Sequence, residues 1–541
     1  LQAKSCRCMC LSLFTFVSVL SKLLLCYYGS WATYRNGNGA SHVQDLDPFV
    51  CSHLIYTFVG LNDDASIRIM DPWLELPDNW GRDNFGQFNK LKTINPKLKT
   101  IVAIGGWNEG SARYSKVAND PTLRAKFALN AAEFTVQYGF DGFDLDWEYP
   151  GQRDTVAGSA DISAHALLLQ AMRQEFDKRG LLLTAAVASV KSSAQLSYDI
   201  PALGKYLDFI HVMTYDLHGG WDKTTGHNAN LRQYETGVTA ADSFDVATAI
   251  NYWLDNGAPK EKLIMGMPLY GRTFSLTNQA DTSVGAPSSG PGIAGQYSYE
   301  NGMIGLNELC EKQLTQSWPE QWDATAEVPY TSKGKDWISY DNHKSLTLKA
   351  EFAVSKGLAG VMVWSIETDD FKGICHTEKF AYLRTINKAI GRTVESGSTV
   401  TPGVTTTTTT QAPAGTTTTT KATTVATTST TTASPGSPTT DINSICTKEG
   451  YIRDPSNCAI FYQCVWMGSS WKAYKFTCGS PLLFDNVQYL TVFNRVLLSA
   501  TTKTLPRVDT TAYQFLDVST IESIAAESIP NILSPNNLVL L

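Results

Sequence analysis

Residues 140–150 read Phe140-Asp141-Gly142-Phe143-Asp144-Leu145-Asp146-Trp147-Glu148-Tyr149-Pro150. In an extended strand alternate side chains share a face, so Asp144, Asp146 and Glu148 project together, with Cα atoms about 6.5–7 Å apart. Carboxylates that close cannot all ionise cheaply. At least one pKa rises and a proton is retained near neutral pH, as a general acid requires. The alternatives are a solvated acidic edge and a site for a hard divalent cation. Acids interleaved with Leu145 and Trp147 at a strand end disfavour the edge.

Outward from this run, seven more β-rich apolar stretches recur at 26–31, 53–60, 100–106, 181–189, 209–215, 262–269 and 358–364. They alternate with segments of 3.6-residue apolar period, clearest at 121–138 and 165–179, which suit helices covering a parallel sheet. Eight such units predict an α/β fold, a (β/α)8 TIM barrel over 26–392, with function at the C-terminal ends of its strands. The gap before the last strand is about twice the others and punctuated by Gly285-Ala286-Pro287 and Gly290-Pro291-Gly292. It predicts an inserted α+β subdomain over about 272–340.

Lys and Arg total 44 against 51 Asp and Glu, a net charge of −7 with no long basic run; nucleic acid is not an expected partner. Residues 393–440 are dominated by Thr, with too few large apolar side chains to offset the entropy of folding, and predict an extended, O-glycosylated linker. No Asn-x-Ser/Thr sequon occurs. The apolar run from Met9 to Tyr28 predicts a signal peptide or N-terminal hydrophobic segment over 1–25. No later stretch is long enough to span a bilayer, and no stable membrane association is expected. The 11 cysteines contain no C-x-x-C pair, which disfavours zinc. His218 and His227, in loops, read as solvent or rim groups. No metal and no cofactor are expected.

Asp141-x-x-Asp144-x-Asp146-x-Glu148, with Trp147 and Tyr149 in place, resembles the signature of the family 18 glycoside hydrolases, the chitinases. The resemblance spans about 26–390. It includes Ile104-Gly105-Gly106-Trp107-Asn108, Met213-Thr214-Tyr215-Asp216, Met267-Pro268-Leu269-Tyr270-Gly271-Arg272 and Val363-Trp364-Ser365, and the insertion is similar to that of the endo-acting branch. Ala103 stands where the family often has Ser, which implies a modest loss of hydrogen bonding. The resemblance implies hydrolysis of chitin and N-acetylglucosamine oligomers with retention, the substrate's own acetamido group serving as nucleophile. It makes Glu148 the acid, Asp146 its orienting partner, Asp144 a sharer of the buried proton and Tyr215 a donor to the acetyl oxygen. Trp364 is implied as the floor beneath the sugar, and Trp31, Trp107 and Trp221 as flanking platforms. Phe58, Gly105, Gly106, Asn108, Tyr149, Met213, Asp216, Tyr270 and Arg272 are implied as cleft-lining residues. Cys26–Cys51 and Cys310–Cys375 are the implied bridges.

Cys446-x11-Cys458-x5-Cys464-x13-Cys478 resembles a peritrophin-type chitin-binding domain. Such modules use six cysteines, whereas this chain has none after Cys478, so 441–490 reads as an incomplete module and 491–541 as an unassigned tail. A cysteine cluster of this kind implies an oxidising compartment. The expected protein is therefore a secreted, extracellular, monomeric endochitinase. A silent chitinase-like lectin is the alternative, and Glu148 counts against it.

Overall fold

The computed structural model describes residues 22–394, apart from 236 and 240–242, and beyond them Cys446 and five short strands between 450 and 493. Most of the expected N-terminal segment, the Thr-rich linker from 395 on, the tail from 494 on, and Cys6, Cys8, Cys10, Cys458 and Cys478 lie outside the described residues.

Eight parallel strands form a closed barrel: β1 (Leu23–Gly29), β2 (His53–Leu61), β3 (Lys99–Gly105), β4 (Gly142–Asp146), β5 (Leu182–Ala188), β6 (Phe209–Met213), β7 (Leu263–Pro268) and β8 (Gly360–Trp364). Each pairs with the next, and β1 closes the ring by pairing with both β2 and β8, Leu25 standing opposite His53 and Met362. This is the (β/α)8 barrel read from the sequence. Strands covered on both faces are built from near-continuous apolar runs. In β1 six of seven residues are buried, so Leu23–Leu25, expected at the end of the N-terminal segment, are barrel residues. Trp31, expected in that strand, sits instead in the 3-10 turn Ser30–Tyr34.

Helices cover the sheet. Pro121–Gln137 begins where the Asp120 carboxylate accepts from the Thr122 and Leu123 N–H groups and Pro121 occupies a position whose N–H would lack a partner. Its Phe127 meets Phe143 of β4 edge-on, ring centres 6.4 Å apart. The 165–179 period belongs to the helix Ala160–Asp177, which starts five residues earlier and stops two residues sooner.

After β7 the chain enters an antiparallel sheet built around Tyr270–Leu276, which pairs with Ser288–Pro291, Met303–Gly305 and Asp336–Ser339, the last continued by Val328–Lys333 and Glu320–Asp323. The insertion starts two residues before the expected 272, because Tyr270 and Gly271 already pair with Gly305 and Ile304. Phe274, Leu276, Ala286 and Trp337 form its own small core. Both implied bridges are present, Cys26–Cys51 and Cys310–Cys375. The second ties the insertion helix Leu306–Thr315 to the segment after β8.

The C-terminal unit contains a three-stranded antiparallel sheet, Gly450–Arg453, Ile460–Trp466 and Trp471–Thr477, with the bridge Cys446–Cys464. A hairpin of Leu482–Asp485 and Leu490–Phe493 runs past the expected boundary at 490. Among the described residues no helix is long and apolar enough to cross a membrane.

Candidate active site

The three acids do not form one wall. β4 ends at Asp146, so Glu148 lies beyond the strand, and Asp144 sits beneath the cleft floor rather than lining it. Asp144 is fully buried. It accepts from Tyr27 Oη at 2.8 Å and from the Thr184 hydroxyl, and His211 Nδ1 lies 3.3 Å away. With the Tyr27 proton directed at Asp144, the phenol oxygen accepts from His211 Nδ1–H at 2.7 Å. Asp141, at the other end of the strand, is structural: it pairs with Lys92 and Lys99 and accepts from the Thr100 N–H.

Above this layer Asp146 is 4 % exposed, and its Oδ1 has no hydrogen-bond partner among the described residues. Burial, then the neighbouring charges of Glu148 and Asp144, hold its carboxyl well above the usual carboxylate range. Burial pushes Glu148 up to about 7, with a hydrogen bond from Tyr149 working downward and the Asp216 charge upward. Two buried acids, one of them held up further by the charge of the other, retain a proton at the cleft mouth.

Gly105 and Gly106 explain how β3 ends so close to these acids. Their φ values are +112° and +80°, and a Cβ on Gly105 would stand 2.0 Å from the Asp146 carbonyl oxygen. That same carbonyl accepts from the Gly106 N–H at 2.9 Å. Ala103, two residues earlier, is in register with Asp144. Having no hydroxyl, it leaves the acid to Tyr27 and Thr184.

The cleft has a volume of about 1200 Å³. Trp364, at the end of β8, packs against Phe58, Tyr27 and Trp31 with ring centres 5.6–6.1 Å apart. On the opposite side Tyr215 meets Tyr270 edge-on. Asp216 accepts from Tyr270 Oη and Arg272 Nε, each at 2.7 Å, and the Arg272 guanidinium lies over Trp221. Gly105, Gly106, Trp107, Asn108, Tyr149 and Met213 complete the expected lining, so of the site residues read from sequence Asp144 alone is absent from the cleft surface. Tyr27, Tyr34, Arg35, Glu367 and the insertion segment 297–303 also line it and were not anticipated. For Tyr27 a signal existed, a polar tip within a fully apolar strand. The 297–303 segment carries no periodicity that points inward.

His227 departs from its expected rim position: it is buried among Tyr234, Tyr330 and Trp337, with Nε2 3.1 Å from Asp323. Asp323 belongs to the insertion sheet, so the histidine anchors a loop to it. His218 pairs with Asp222 at 3.1 Å. No group of three or more metal-ligating side chains occurs among the described residues.

Comparison with known proteins places this geometry. The pattern of Glycosyl hydrolases family 18 matches residues 23–369, and that of the Chitin binding Peritrophin-A domain matches 446–489. "Probable chitinase 2" of Drosophila melanogaster is 41% identical over 371 residues, 67% of this chain and 75% of that protein. The Ostrinia furnacalis Group IV chitinase, solved in complex with allosamidin, superposes with a TM-score of 0.66 at 48% identity, over 68% of this chain and 99% of the other. Human YKL-39, described as a pseudo-chitinase with retained chitooligosaccharide binding, superposes with a TM-score of 0.63 at 33% identity, over 69% and 100%. A closed barrel with the acid run at the end of its fourth strand, matched over most of its length, makes this chain a member of the family 18 glycosyl hydrolases, carrying a peritrophin-A domain toward its C-terminus.

Proposed function

We propose that the protein is a secreted endochitinase that cleaves β-1,4 bonds between N-acetylglucosamine units with retention. The observation that carries the reading is Glu148 lining the cleft just beyond the end of β4, with the buried Asp146 lining it too and burial raising the pKa of both acids. Glu148 protonates the glycosidic oxygen. The substrate's acetamido carbonyl attacks the anomeric carbon, forming an oxazolinium ion and releasing the leaving sugar. Asp146 turns toward the acetamido N–H and balances the positive charge, Asp144 shares the buried proton, and Tyr215 donates to the acetyl oxygen. Water deprotonated by Glu148 then opens the ring.

Trp364 is the platform for the sugar that reacts, and the remaining aromatics seat its neighbours. The bridges Cys26–Cys51 and Cys310–Cys375 suit an oxidising, extracellular setting. The Thr-rich stretch tethers the chitin-binding module to the barrel. Incubating the protein with N-acetylglucosamine oligomers and resolving product lengths and anomers tests the proposal. Internal cleavage releasing the β-anomer first supports it; absence of cleavage, or first release of the α-anomer, overturns it.

A further inference from the structure

Five residues past Glu148, Arg153 lies flat on a cleft aromatic. Its guanidinium carbon is 3.8 Å from the Trp107 ring centre, and the same group donates to the Trp107 carbonyl. Trp107 is 58% exposed and lines the cleft, whereas Arg153 does not line it. The cation therefore backs one face of the indole and leaves the other to substrate. Trp221 carries an arginine too, but with a different balance of charge. There Arg272 is 5.1 Å from the ring and bound at 2.7 Å by Asp216. The ion-pair partner of Arg153 is Asp154, 3.5 Å away and largely in solvent, where a carboxylate compensates weakly.

We propose that Arg153 sets the acetylation specificity of the cleft: a positive charge fixed on one face of Trp107 makes the other face a poor seat for a protonated glucosamine unit and leaves it a good one for N-acetylglucosamine. The reason is electrostatic. The negative face potential that attracts a cation to an indole is drawn toward Arg153, and a second cation on the opposite face meets both a depleted ring and a like charge. An acetylated sugar, stacking through neutral C–H groups, does not feel the repulsion.

The same charge reaches Glu148. The groups facing that acid are Asp146 from β4, Tyr149 beside it, Tyr215 and Asp216 after β6, Tyr198 and Arg153. Burial and Asp216 raise the Glu148 pKa, while Arg153 lowers it. Glu148 protonates the leaving oxygen and Trp107 lines the same cleft, and the Trp107 platform is assigned to the leaving side of the cut.

The inference rests on the chitinase reading above, and the test separates the two. The full chain, R153Q and R153K are compared on fully acetylated oligomers and on partially N-acetylated chitosan at acidic pH, with products sequenced by mass spectrometry. Substrate assistance confines a tolerated free amine to the leaving side, so the readout is glucosamine at new non-reducing ends. R153Q is expected to raise that fraction about two- to fivefold and to move the alkaline limb of kcat/KM on acetylated oligomers up by about half a pH unit to one unit. R153K, retaining the charge, is expected to return the limb toward the parent and most of the selectivity with it. A bracing role alone would slow all substrates alike without moving either readout. Parent-like end composition for R153Q overturns the inference while leaving the chitinase reading intact. Failure of the parent to cleave acetylated oligomers overturns the reading itself.

Discussion

The phenol of Tyr27 is hydrogen-bonded to Asp144 at 2.8 Å, joining β1 to β4 across the barrel interior beneath the acids that face the cleft. Asp144 thus receives donors from Tyr27 and Thr184 while its own charge acts on Asp146. Hydrogen bonds to a buried charged group are worth about 1.5–3 kcal/mol. Tyr27→Phe and Thr184→Val are each expected to lower kcat on soluble oligomers about tenfold or more. Because both act on one carboxylate, the double variant should lose less than the product of the single losses. Steady-state kinetics on the four proteins checks this; strict multiplicativity would dissolve the idea of a shared layer.

Replacing Glu148 with Gln keeps shape but removes the proton. Hydrolysis should fall about 10²- to 10⁴-fold while oligosaccharide binding, measured by calorimetry, persists. Activity within threefold of the parent would exclude Glu148 as the acid.

The pH profile carries a sign. A general acid works while protonated, so with Glu148 near 7 the rate should fall as pH rises through that value. The Asp216 charge contributes to the upward shift. Asp216→Asn should therefore move the alkaline limb of kcat/KM to lower pH, opposite to R153Q. A limb moving upward would reverse the assigned sign.

Glu75 supplies a stability test away from the catalytic acids. It is 2% exposed, its Oε2 has no hydrogen-bond partner among the described residues, and burial raises its pKa to about 8. A carboxyl whose folded pKa lies above its unfolded value contributes stability that is fully present below about 4.5 and is lost as pH rises toward 8. Glu75→Gln should leave melting near pH 4 almost unchanged and stabilise the barrel at pH 8 by about 1–3 kcal/mol. Parallel melting curves at the two pH values would count against this account.

Ending the chain after Arg392 should leave the rate on short soluble oligomers near that of the full chain, since every proposed catalytic residue precedes it. On insoluble chitin the rate should drop, because a tethered binding module raises the effective concentration of the barrel at the surface. Equal rates on both substrates would show that the module contributes nothing.

Much of this was legible from side-chain pattern because barrel strands announce themselves as apolar runs at regular intervals. The acids of 144–148 stood out against that apolar background, and the Gly105-Gly106 pair marks a close approach that no side chain would permit. Less legible was anything fixed by neighbours distant in sequence. Tyr27, Thr184 and His211 lie on three strands and meet only when the barrel closes. The strand reading carried Glu148 onto the same face as Asp144, yet the regular sheet ends at Asp146. Periodicity locates a strand better than it locates its last residue. The insertion wall at 297–303 was missed for a related reason: Glu308, ten residues on, holds Ser298 through its backbone N–H and hydroxyl. A buried carboxylate organising a loop leaves no repeating pattern.

The ring is fastened by the two ends of its own stretch of chain. β1 lies between β2 and β8, and the Gly29 N–H reaches Glu367, 338 positions away. A nascent chain that has emerged only as far as residue 355 holds seven strands with two unsealed margins, and it lacks Trp364. Long-range closures of this kind form slowly and leave strand edges open meanwhile. The floor of the site and the last stave of the barrel arrive together during synthesis, so a chain still short of them has both an open sheet and an unfinished cleft.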